Sequence, residues 1–218
     1  ITTTGATVIE NLEAKSHGIL IWRALLQWLG GVGIIVMALA VLPMLSIGGM
    51  QLFKTESYET PDKVVPKAAS FAAGISIVYI TLTVIWAFML WGAGMTIFDS
   101  IAHAMTTLAT GGYSTKSESL AAFNSSTIEI IIIFGMLVGS LPFVHYLTLT
   151  KNGIKNLIKD DQVKLFLTLV FFVVLIMSLY LSFNNLPYID AFRLASFNVI
   201  SIITGTGFGT SDFNNWGG

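Results

Sequence analysis

A chain of 218 residues that is 54% hydrophobic and only 11% charged, with a mean hydropathy of +0.78, lies far from the composition of a soluble domain, so a bilayer is its expected solvent. A formal net charge of -1 gives no electrostatic hold on nucleic acid or another polyanion. Cysteine is absent, which excludes a disulfide framework and thiolate metal sites.

The chain opens at Ile1 inside a Thr-rich run and stops at Trp216-Gly217-Gly218, and is read as a piece of a longer protein in which no signal peptide is recognisable. A transmembrane helix needs roughly 20 apolar residues to cross about 30 Å of hydrocarbon. Residues 18–45, 67–91, 126–149 and 163–182 meet that requirement. Two shorter, half-apolar stretches, Ile97 to Thr110 and Ile189 to Thr204, each run into a glycine cluster. They are too short to cross and predict re-entrant pore helices, because irregular backbone survives at membrane depth only where protein buries it or it lines a watery path.

Loop charge sets the orientation. Lys54, Lys63 and Lys67 fall between the first two spans, and Lys151, Lys155, Lys159 and Lys164 between the third and fourth, so both loops are predicted to be cytoplasmic. The opposite face carries Lys15, Lys116 and Arg193 against Glu10, Glu13, Asp99, Glu118, Asp190 and Asp212. That acidic excess beside the glycine clusters would gather cations, although each acid taken singly also reads as an ordinary solvated loop charge.

The glycine clusters repeat. Thr3-Thr4-Gly5, Thr110-Gly111-Gly112 and Gly205-Thr206-Gly207 place a glycine at 5, 112 and 207, intervals of 107 and 95 residues, and each interval holds an outgoing helix, a cytoplasmic loop, an incoming helix, a pore helix and the next glycine loop. A period of that length describes a supersecondary unit that buries its faces against copies of itself. Residues 1–45 would supply the filter and second helix of a first unit, 46–66 a cytoplasmic loop, 67–149 a complete second unit, 150–162 another cytoplasmic loop, and 163–218 the first helix, pore helix and filter of a third.

Such loops suit a cation. A dehydrated monovalent ion needs a cage of oxygens, which backbone carbonyls supply when successive residues alternate in handedness. Glycine enters positive φ without the roughly 1–2 kcal/mol that an L-residue meets there. Threonine hydroxyls beside it add ligands or hold the loop. A helix aimed at the loop presents its partially negative C-terminus, which favours cations.

These residues resemble the Trk/Ktr family of potassium uptake proteins. The likeness is carried by Thr2-Thr3-Thr4-Gly5-Ala6-Thr7-Val8, by the run from Trp22-Arg23 through Gln27-Trp28-Leu29-Gly30-Gly31 to Ile34, by Ala109 to Thr115, and by Ser201 to Phe208, spread over almost the whole chain. The resemblance implies an all-α membrane protein of four helix, pore-loop, helix units in one polypeptide around a pseudo-fourfold cation pore, with the fourth filter outside this sequence. It implies K+ as the transported ion, no cofactor, and filter positions at Thr3, Thr4, Gly5, Thr110, Gly111, Gly112, Gly205, Thr206 and Gly207. Gly205 stands where a threonine is expected, which bears on how tightly the third loop selects K+ over Na+. The family further implies the bacterial inner membrane, a homodimer, and a cytoplasmic nucleotide-binding regulatory subunit. Anionic lipid headgroups account equally well for the inner lysines. A gated channel and a Na+- or H+-coupled symporter stay open.

Other residues invite functional readings. His17, His103 and His145 are the only basis for a membrane redox enzyme, but no H-x-x-H or H-E-x-x-H spacing occurs, and an acid, base or ligand cluster at matched depth is absent, so a non-enzyme is expected. Glu129 reads as a solvated helix start. Arg23 reads either as a brace reaching pore-loop carbonyls, Glu10 or Glu13, or as a snorkelling side chain. Gly30, Gly31 and Gly33 read as a close helix-packing surface, and Trp22, Trp28, Trp86, Trp91 and Trp216 as interface or packing residues.

Overall fold

The computed structural model describes residues 2–45, 64–143, 145–147, 157, 159–184, 186–211 and 216. The described residues form helices α1 (His17–Leu45), α2 (Val64–Gly92), α3 (Ile97–Leu108), α4 (Ser126–Ser140), α5 (Asp161–Phe183) and α6 (Tyr188–Ile203), with 3-10 turns at Leu12–Ala14 and Ser119–Phe123. Among them Ala72–Gly92 and Asp161–Phe183 are long and apolar enough to cross a membrane, with mean hydropathies of 2.1 and 2.6. Most of the first inner loop, with Lys54 and Lys63, and Lys151, Lys155 and Asp212 lie outside the described residues. Lys67 and Lys164, expected in loops, belong to α2 and α5.

The short helices form the centre. α3 packs against α2, its own incoming helix, and against α1, the outgoing helix before it; α6 packs in the same way against α5 and α4. The core runs through Ile75, Tyr79, Leu90, Leu108, Ile132, Met136 and Phe197, while Phe171, Phe172, Ile176 and Phe183 on α5 point outward. An apolar outer face around an apolar core is the arrangement expected of a helix bundle in hydrocarbon. Polar anchors cross it: Trp28 donates to Thr83 at 3.0 Å and Trp86 to the Ile131 carbonyl at 2.9 Å, whereas Trp22 and Trp91 face outward.

Small residues set the helix spacing. A Cβ on Gly31 would lie 3.0 Å from the Tyr79 hydroxyl and 3.1 Å from Ala109, and one on Gly139 would lie 2.9 Å from the Leu108 carbonyl oxygen. Of the three glycines expected to form a packing surface, Gly31 meets close neighbours, whereas a Cβ on Gly33 would meet nothing within 4 Å among the described residues.

The third span differs from the continuous helix expected over 126–149. α4 ends at Ser140, Leu141 is extended, and helical backbone resumes at Phe143 and over 145–147. The residue before a proline is pushed out of the α region, and Pro142 has no N–H for the Val138 carbonyl four residues back. The Tyr146 hydroxyl donates to that carbonyl at 2.8 Å, compensating the break.

Candidate functional site

Both short helices deliver a glycine loop through the same hydrogen bonds. At the end of α3, the Gly112 N–H donates to the Thr106 carbonyl at 3.4 Å, and at the end of α6 the Gly207 N–H donates to the Ser201 carbonyl at 3.3 Å. The hydroxyls of those two residues donate forward to the carbonyls of Tyr113 (2.8 Å) and Phe208 (2.7 Å), seven positions on in each case. One turn earlier, His103 and Asn198 are fully buried and hold the far side of their loops. Nε2 of His103 lies 3.0 Å from the Ser114 hydroxyl, and Nδ2 of Asn198 donates to the Thr210 hydroxyl at 3.0 Å. Since His103 Nδ1 faces the Asp99 carbonyl at 2.7 Å, which only accepts, Nδ1 carries the proton and Nε2 accepts from Ser114.

The loops share one backbone pattern. Positive φ occurs at Thr3 (53°) and Gly5 (75°), at Thr110 (47°) and Gly112 (72°), and at Gly205 (73°) and Gly207 (87°), with the residue between each pair outside that region. Left, right, left is the alternation that turns successive carbonyls to one side. It also accounts for Gly205: this position is left-handed in all three loops, and glycine holds it without the strain borne by Thr3 and Thr110.

The loops converge. A Cβ on Gly5 would sit 2.6 Å from the Gly111 carbonyl oxygen and 3.5 Å from that of Thr206, and one on Gly112 would overlap the Thr206 carbonyl oxygen. All nine predicted residues therefore lie in three adjoining loops. The segments beyond them are also joined: the Ser117 hydroxyl and N–H donate to the Glu13 carboxylate at 2.6 and 2.8 Å, and the Leu120 N–H donates to the Gly209 carbonyl at 3.1 Å. Those two Ser117 bonds, the hydroxyl first, hold the Glu13 pKa down at about 2.

Several charges depart from expectation. Asp99 is buried and not a mouth charge; it accepts from Thr115 at 2.6 Å and Thr96 at 2.7 Å, and its N–H is capped by Thr96, so the carboxylate closes the N-terminus of α3. Glu129 is buried instead of solvated, 3.7 Å from Arg193, because α6 brings that guanidinium across the first turn of α4; Arg193 also donates to Ser126 at 2.8 Å. Arg23 is buried and does not snorkel. It donates to Thr7 at 2.8 Å and lies 4.2 Å over the Tyr113 ring, with no bond to Glu10 or Glu13 among the described residues. Tyr113 in turn donates to the Ala6 carbonyl at 3.1 Å. The histidines part company: His17 stacks on Phe98, His103 sits behind the second loop, and His145 lies 3.1 Å from Asp160, which caps α5.

The chain is similar to known proteins over almost its whole length. The sequence profile of the TrkH family, described as a cation transport protein, matches residues 1–217. The chain belongs to the TrkH family. It is 38% identical over 219 residues to the Trk system potassium uptake protein TrkI of Halomonas elongata, covering 100% of this chain and 44% of that protein. It is 39% identical over 221 residues to the TrkH of Escherichia coli K12, covering 99% and 46%. The crystal structure of the potassium transporter TrkH from Vibrio parahaemolyticus superposes with a TM-score of 0.84 at 37% identity, over 96% of this chain and 43% of that one. The chain thus spans less than half the length of these TrkH-family relatives, which are transporters, and its fold is that of an all-α membrane protein of helix, re-entrant loop, helix units.

Gln27 was missed from sequence. It is 1% exposed on α1, its Nε2 donates to the Gly111 carbonyl at 2.7 Å, and its Oε1 accepts from the Tyr113 N–H at 3.0 Å. A lone neutral polar residue inside an apolar span was the available signal.

Proposed function

We propose that the protein carrying this chain passes K+ across the bacterial inner membrane, and that Thr3, Thr4, Gly5, Thr110, Gly111, Gly112, Gly205, Thr206 and Gly207 are filter positions around its path. The observation that carries this reading is the left, right, left backbone repeated in three adjoining loops. Polarised carbonyls replace the ion's hydration shell, and the C-terminal ends of α3 and α6 bring partial negative charge to the same place. Helix-end charge and neutral oxygens stabilise a cation without a fixed carboxylate. The relatives are potassium uptake proteins and a potassium transporter, which supports K+ as the ion.

A pore built this way performs no covalent chemistry, and we read the protein as a non-enzyme without a cofactor. A homodimer and a cytoplasmic nucleotide-binding regulatory subunit complete the proposal on family resemblance. The test is ion flux in liposomes containing the full-length protein, under imposed K+, Na+ and pH gradients. Flux that follows the K+ gradient and is small for Na+ is expected; equal flux of both ions would refute the filter reading. Dependence of K+ flux on an opposing Na+ or proton gradient would assign coupled symport in place of a channel.

A further inference from the structure

The middle residue of each loop, Thr4, Gly111 or Thr206, is treated differently. In the first loop the Thr4 hydroxyl pairs with that of Thr2 at 2.9 Å, and in the third the Thr206 hydroxyl pairs with that of Thr204 at 2.7 Å. The corresponding residues of the second loop are Ala109 and Gly111, which have no hydroxyl to pair. The carboxamide of Gln27 stands there instead, spanning the Gly111 carbonyl and the Tyr113 N–H. Which end of the amide is oxygen follows from its partners, since a carbonyl only accepts and an N–H only donates.

Gly111 is matched to that side chain. Its φ lies outside the left-handed region, so backbone conformation does not require glycine there. A Cβ at 111 would lie 2.5 Å from both Cδ and Oε1 of Gln27, so the close approach of the carboxamide does. Among the described residues, the Gly111 carbonyl is the only one of the three middle carbonyls that accepts a side-chain hydrogen bond.

We infer that Gln27 is the positioning residue of the second loop and a determinant of K+ over Na+ preference. It replaces the threonine hydroxyl pair of the other two loops, fixes the backbone from Gly111 to Tyr113, and draws electron density of the Gly111 oxygen toward α1. The inference rests on the filter reading. A loop lacking this clamp closes more readily around a smaller cation, because one carbonyl is free to follow it inward.

The test is the K+ to Na+ flux ratio of full-length protein in liposomes, with thermal melting in detergent measured on the same preparations. Gln27→Leu keeps an apolar side chain of similar bulk and loses both bonds. Gln27→Glu keeps acceptance from Tyr113 but sets a carboxylate oxygen against the Gly111 carbonyl. Both are expected to lower the ratio about fivefold, roughly what one net hydrogen bond carries, while K+ flux persists. A merely structural role would lower the melting temperature and leave the ratio in place. Should Gln27→Leu yield no inserted protein, Gln27→Glu decides. A ratio within about twofold of the unsubstituted protein in a folded variant overturns the role of Gln27. Absence of K+ preference in the unsubstituted protein overturns the filter reading itself.

Discussion

Replacing Gly112 by serine tests the convergence of the loops most directly. Two costs arise. At φ 72° the new Cβ meets the left-handed penalty of about 1–2 kcal/mol. It would also overlap the Thr206 carbonyl oxygen and lie 2.9 Å from its carbon and 3.1 Å from the Gly207 carbon, whereas ordinary contact begins near 3.4 Å. These are backbone atoms of the next loop and cannot rotate aside, so that loop must shift by on the order of an ångström. If ion binding restores the original geometry, the conformational penalty alone converts to about five- to thirtyfold in K+ preference, at about 1.4 kcal/mol per tenfold. Relative K+ and Na+ uptake in a K+-uptake-deficient cell, with membrane protein level followed in parallel, measures it. Insertion depends on the apolar spans and is expected to be unchanged. Normal expression with undiminished K+ over Na+ discrimination would refute the reasoning.

Gly205→Thr meets the same left-handed penalty, which Thr3 and Thr110 already bear, but no clash, because nothing lies within 4 Å of the added Cβ; the same uptake ratio should therefore fall less than for Gly112→Ser. The Glu13 carboxylate has its pKa lowered to about 2, so its contribution is complete above the ordinary value of 4.5 and is lost as pH falls from there toward 2. Glu13→Gln should therefore flatten the acid limb of the melting temperature in that window, and an unchanged limb would remove Glu13 from it. Arg193→Met leaves the buried Glu129 carboxylate facing no guanidinium, whereas Glu129→Gln leaves a partly exposed arginine that still reaches Ser126. Melting in detergent should fall further for Arg193→Met, and the reverse order would contradict the pairing.

The period of the glycine loops was legible in sequence because glycine is chemically distinctive and the apolar spans set a ruler around it. The left-handed threonines at 3 and 110 were not, since only a shared fold makes an L-residue accept that region. Pro142 announced the break in the third span, but a hydropathy window weighs it as one residue among many and passes over the lost N–H. Asp99 and Glu129 were misplaced for a common reason: a charge read alone defaults to solvent, and their partners, Thr96 and Thr115 for one and Arg193 for the other, meet them only after the helices pack. The paired bonds from Thr106 and Ser201 repeat across units whose residues differ, so a spacing of seven carries the likeness where residue identity does not.

The difference between the middle residues of the loops has a consequence for symmetry. A pore assembled from identical subunits must repeat every device at each corner, so a bulky amide packed against the loop would have to be accommodated all the way round. Loops carried in one polypeptide are released from that rule: Gln27 with Gly111 serves one loop while Thr2 with Thr4 and Thr204 with Thr206 serve the other two. Each loop can then be altered by itself, in steps smaller than a symmetric ring permits.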